Sequence, residues 1–170
     1  MKHRSILLSA LCVALLFSAL ALRADSQSSD EKAIRVLSER FGAAVKARDI
    51  TKVMSLYVPD ESLFVFDAVP PRQYVGAKAY RKDYEEFLGL FPGPIQYGVS
   101  DLSVQAAGTL GYSHRIDTWT LTDKAGKRTT LVFRVTDVFR KINGRWLIVH
   151  EHLSFPVDPA TGKADLLSKP

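Results

Sequence analysis

Residues 133–156, FRVTDVFRKINGRWLIVHEHLSFP, constrain the fold more than any other part of the chain. They are rich in β-branched and aromatic residues and centre on Asn143-Gly144, a strong signal for a tight hairpin turn. The stretch therefore predicts two long antiparallel strands. Alternation along the second places Trp146, Ile148, His150 and His152 on one face and Leu147, Val149, Glu151 and Leu153 on the other. If the first set looks inward, two imidazoles share a hollow.

The rest of the chain supplies what those strands pack against. Ile34, Leu37, Phe41, Ala44 and Val45 form one apolar stripe on a helix that Asp30 can cap and that runs to about Arg48. Asp49 caps a second, short helix whose apolar side is Val53, Met54, Leu56 and Tyr57, and Pro59 ends it. Residues 63–66 read as a short strand, Pro70-Pro71 breaks the chain, and a third helix spans 76–88. Strands at 95–105, 110–121, 128–141 and 145–155 follow, separated by turns at Gly108, Gly126 and Gly144. Helices first and strands afterwards argue for an α+β domain with an antiparallel sheet. Long strands twist, so the helices would close one end of a cone.

The N-terminus has the layout of a secretory signal peptide: Lys2, His3 and Arg4, then an uncharged apolar run over 5–22, then Ala19, Ala21 and Ala24 ahead of a polar stretch. Cleavage after Ala21 or Ala24 are the two choices, and an uncleaved anchor is the alternative. Residues 25–29 form a leader, 30–157 the domain and 158–170 a polar tail. The whole chain carries 23 Lys and Arg against 18 Asp and Glu, a net charge of +5. Losing residues 1–24 removes Lys2, Arg4, Arg23 and Cys12, so the expected mature protein has a net charge of +2 and no cysteine. Its core alone must hold it in an oxidising compartment, the periplasm or beyond. No basic cluster with interleaved aromatics marks a nucleic-acid partner, and the only expected membrane contact is the signal segment before cleavage.

The residues also carry a family likeness. FGAAVKARDITKVMSL, 41–56, resembles the first two helices of the nuclear transport factor 2-like superfamily. RVTDVFRKINGRWLIVHEHLS, 134–154, resembles its SnoaL-like branch and the association domain of calcium/calmodulin-dependent kinase II. The likeness covers about residues 30–157. It implies a cone-shaped α+β barrel, three N-terminal helices packed on a curled antiparallel sheet, with a pocket inside. It also implies a homodimer through the outer sheet face, to which Leu147, Val149 and Leu153 would contribute.

His150 and His152 are the sharpest site signal, one to move a proton and the other to orient a ligand; backbone hydrogen bonding is the structural alternative. A metal site would need a third ligand from His114 or Asp137. DVFRKING resembles the segment of ketosteroid isomerase that carries a protonated pocket aspartic acid, which makes Asp137 the matching residue, although one extra residue precedes the turn. Asp67 lies near the position of that enzyme's general base, or is simply a turn aspartate. Phe41 stands where the isomerase has its oxyanion tyrosine, a loss worth about 10²–10³ in rate, which argues against steroid isomerisation. Tyr57, Phe66, Tyr84 and Trp119 are candidate pocket wall. The expectation is a small, largely apolar ligand and, if there is catalysis, acid–base chemistry of the isomerase, dehydratase or hydrolase kind with no cofactor. Non-catalytic binding and a dimerising assembly module are the alternatives.

Overall fold

The computed structural model describes residues 28–167. Its elements are α1 (Ser29–Lys46), α2 (Ile50–Met54), β1 (Phe64–Phe66), β2 (Tyr74–Val75), α3 (Ala77–Leu90), β3 (Gln96–Ala107), β4 (Leu110–Thr122), β5 (Arg128–Ile142) and β6 (Arg145–Ser154). The expected signal segment lies outside the described residues. The first helix starts two residues earlier than expected because Ser28, not Asp30, caps it. The Ser28 hydroxyl accepts from the Glu31 amide at 3.1 Å, and the Glu31 carboxylate accepts from the Ser28 amide at 3.0 Å. Asp30 instead pairs with Lys141 at 2.6 Å and accepts from the Trp146 indole at 3.0 Å, which ties the start of α1 to the last hairpin.

The sheet order is β2-β1-β6-β5-β4-β3. The last four strands form the expected antiparallel meander, and the Asn143-Gly144 turn has positive φ at both residues, 50° and 77°. The sheet as a whole is mixed, because β1 pairs parallel with β6. The small strand expected among the helices thus joins the antiparallel meander as a parallel neighbour. The meander leaves one edge of β6 with unpaired backbone groups, and the chain around α2 and β1 satisfies them: Val58 N donates to Ile148 O and Ile148 N to Leu56 O, both at 2.9 Å. With β2 and β3 as free edges the barrel stays open.

Two bulges curl the sheet, one where Asp101 and Leu102 oppose a single residue of β4, the other at Val149 in β6. The helices fill the concave side. Ile34, Phe41, Val45, Val53 and Tyr57 meet Val65, Leu121, Val135, Phe139 and Ile148 in one core. Gly42 lets α1 approach β3, since a Cβ there would fall 2.6 Å from the Tyr97 ring. Arg48, just past α1, donates to the carbonyls of Leu88 (2.7 Å) and Phe91 (2.5 Å) and so caps the end of α3.

The polar tail is anchored through Leu166. β5 extends past the last β6 pair, Arg134 with Ser154, and the Leu166 carbonyl accepts from the exposed amide of Val132 at 2.9 Å.

Candidate functional site

The bulge at Val149 decides which side chains of β6 look inward. Phe139 pairs with Ile148, but the next residue back, Val138, pairs with His150. Val149 is the extra residue, and alternation reverses across it. Trp146 and Ile148 face the core before the bulge; Glu151, 1% exposed, and Leu153 face it afterwards. The expected inward projection of His150 and His152 is therefore corrected: both rings lie on the outer face. There His150 Nδ1 contacts the Phe64 carbonyl oxygen at 2.7 Å, and the Phe66 ring packs 5.5 Å from both imidazoles, centroid to centroid. Leu153, expected on the outer face, points inward for the same reason.

Inside, alternation along β4 lines up Ser113, Arg115, Asp117 and Trp119 on the concave side, all buried. Asp137 of β5 pairs in register with Ser113 and with Glu151 of β6, so a charged cluster spans three strands. The Arg115 guanidinium donates to Asp117 at 2.8 Å and to Asp137, and lies 3.8 Å from Glu151. Tyr57 and Tyr80 each donate to Glu151 Oε2 at 2.8 Å, and Tyr97 donates to Asp117 at 3.0 Å. Three carboxylates thus share one guanidinium. Burial, with the Asp137 charge adding to it, pushes the Glu151 carboxyl well above the usual carboxylate range, and burial raises Asp117.

The apolar cavity opens beside this cluster, with a volume of about 40 Å³. Tyr80, Tyr84 and Phe87 of α3 form one wall and Trp119, Phe133 and Leu153 of the sheet the other. Asp67, Val69 and Asp83 complete the lining. The Trp119 indole N–H is buried and has no hydrogen-bond partner among the described residues. Asp67 accepts from the Val69 amide at 3.2 Å in a local turn, and Asp83 accepts from the Tyr74 hydroxyl at 2.6 Å. Burial against the apolar wall, with the Asp83 charge adding to it, pushes Asp67 up to about 6. A carboxyl that titrates there can give or take a proton at neutral pH.

Of the residues singled out from sequence, the structure brings Asp67, Tyr84 and Trp119 together in the cavity wall. Tyr57 and Asp137 are interior but belong to the charged cluster behind it. Phe66, His150 and His152 gather on the opposite side of the sheet. Arg115, Asp117 and Glu151 were missed. The signal was the run SHRIDTW, in which opposite charges two apart share a strand face with Trp119. Among the described residues no three His, Cys, Asp or Glu side chains converge as a metal site requires.

Residues 34–158 match the SnoaL-like domain family. A nuclear transport factor 2-like protein of unknown function from Pseudomonas putida is 33% identical, with a TM-score of 0.76 over 86% of this chain and all of that one. A protein from Xanthomonas campestris, assigned as a calcium/calmodulin dependent protein kinase II association domain, is 26% identical with a TM-score of 0.64, covering 78% of this chain and 89% of its own. A ketosteroid isomerase-like protein from Erwinia carotovora shares the fold at 19% identity and a TM-score of 0.64, over 75% of this chain and 97% of its own. No curated protein matches the chain. With most of its length matched by the domain family and by a relative one-third identical, the chain belongs to the SnoaL-like family of the nuclear transport factor 2-like superfamily.

Proposed function

We propose that the cavity binds a small, largely apolar carbonyl compound and that Asp67 moves a proton on it without a cofactor. The supporting observation is a carboxyl, Asp67, raised to about 6 with Asp83 beside it, in a mainly aromatic wall that also includes Trp119, whose buried indole N–H is unpaired among the described residues. Asp67 would take a proton from the carbon next to the carbonyl. The Trp119 N–H would hold the oxygen as negative charge develops, the kind of fixed donor that stabilises an enolate. The charged cluster would keep Tyr80 in place through its bond to Glu151. Asp137, whose Oδ2 faces Arg115, then serves as part of that scaffold, and His150 and His152 take no part.

The test is deuterium uptake by small cyclic ketones in D₂O, followed by NMR. The wild-type chain should accelerate exchange over buffer, and Asp67→Asn should abolish the acceleration. Exchange that is unchanged in Asp67→Asn refutes the role of Asp67. A ligand-dependent rise in melting temperature with no exchange leaves a binding protein.

The remaining surface fits a homodimer. Phe66, Val75 and Tyr112 are exposed on the outer sheet face, between 37% and 48%, and share it with Phe64, Ile116, Val138 and Leu147. An apolar face of this kind is covered in an assembly more often than left to water. Export by residues 1–24 belongs to the same reading, and intact mass of the secreted form would show the cleavage.

A further inference from the structure

We propose that the molecule taken by this cavity carries a small alkylammonium group, seated among the rings beside Asp67 and Asp83, together with an oxygen acceptor. The inference rests on the pocket reading above and adds the charge of the occupant.

The first observation is an imbalance. Two carboxylates line an apolar hollow, and among the described residues no lysine or arginine pairs with either. The one buried guanidinium nearby, Arg115, is committed to Asp117, Asp137 and Glu151. A neutral occupant would strip water from Asp67 and leave it with only its backbone hydrogen bond. A cationic occupant supplies the missing counter-charge.

The second observation is the arrangement of the rings. Tyr80 and Tyr84 meet at 62°, Phe87 and Trp119 at 73°, and Trp119 and Phe133 at 81°. All five rings line the hollow, and an aromatic ring attracts a methylated ammonium wherever its negative face is presented to it.

The third observation is Trp119 itself. It is 4% exposed, stands in the cavity wall, and its N–H has no partner. A cation alone leaves that donor unpaired; an ammonium with a hydroxyl or carbonyl oxygen can satisfy both.

The experiment titrates the full chain with choline and with 3,3-dimethylbutan-1-ol, in which carbon replaces the charged nitrogen at constant shape. Calorimetry gives the affinities and the Trp119 indole NMR signal reports where they bind. Choline should bind about tenfold more tightly or better. Asp67→Asn and Asp83→Asn, each checked for an unchanged fold by its melting curve, should each bring the two affinities together. Equal or tighter binding of the alcohol overturns the charge inference and leaves the pocket reading standing. A choline preference that survives both substitutions also overturns it. If neither compound binds or moves the Trp119 signal, the charge inference fails, and the ketone-exchange test alone decides the pocket reading.

Discussion

Replacing Asp67 by Asn tests whether the carboxyl is in tension with its surroundings. Asn keeps the shape and the oxygen that accepts from the Val69 amide, so the local turn survives. It removes the charge that burial and Asp83 oppose. A rise from 3.8 to about 6 means that the folded protein holds this proton more tightly than the unfolded chain does. For a carboxyl raised in this way, folding stability is highest below the unfolded value and falls as pH rises from about 4 through about 6. The full shift would correspond to ~3 kcal/mol, and solvent reaching the partly exposed group reduces it to about 1–2 kcal/mol. Asp67→Asn should therefore be more stable than wild type at pH 7.5, by roughly 3–6 °C in melting temperature. The two should converge near pH 4. Calorimetric melting across pH 4–8 makes the comparison. A variant that is less stable at pH 7.5, or whose difference from wild type does not change with pH, refutes the claim that the site is strained. A stabilising substitution that removes activity would also fit the general cost of building a site.

Other substitutions probe the scaffold. Arg115→Met should cost about 3–5 kcal/mol in urea unfolding, since it leaves Asp117, Asp137 and Glu151 facing one another without a cation; a loss below about 1 kcal/mol would show that the cluster is not held by charge. Gly42→Val should destabilise by about 1–3 kcal/mol, because its side chain displaces the Tyr97 ring that bonds Asp117. Its near-UV circular dichroism should change with it. Phe66→Asp should convert a dimer to a monomer in size exclusion with light scattering while leaving the melting curve of the monomer cooperative. An unchanged mass removes Phe66 from the interface.

How much of this was legible in the sequence follows from which signals are local. The Asn143-Gly144 turn depends on two residues and their backbone preferences, and it stands as expected. The helix stripe at Ile34, Leu37 and Phe41 is likewise buried as expected. The facing of β6 was not legible, since one extra residue at Val149 inverts every side chain after it and no residue type announces a bulge there. The parallel pairing of β1 with β6 joins positions some 86 residues apart, from Phe64 to His150, and no local pattern encodes it. The charged cluster was half legible: alternation places Arg115 and Asp117 together, but only the register with β5 and β6 brings Asp137 and Glu151 to them. Asp67 depended on the family likeness, because a turn aspartate and a pocket base look alike in a string of letters.

The most direct measurement is a ¹³C NMR titration of the Asp67 side-chain carboxyl in the full chain, assigned by its loss in Asp67→Asn. The account predicts a midpoint near 6, displaced on adding a cavity ligand. A midpoint near 4 that ignores such a ligand would mean the group is solvated and idle, and the proposed site would fall with it.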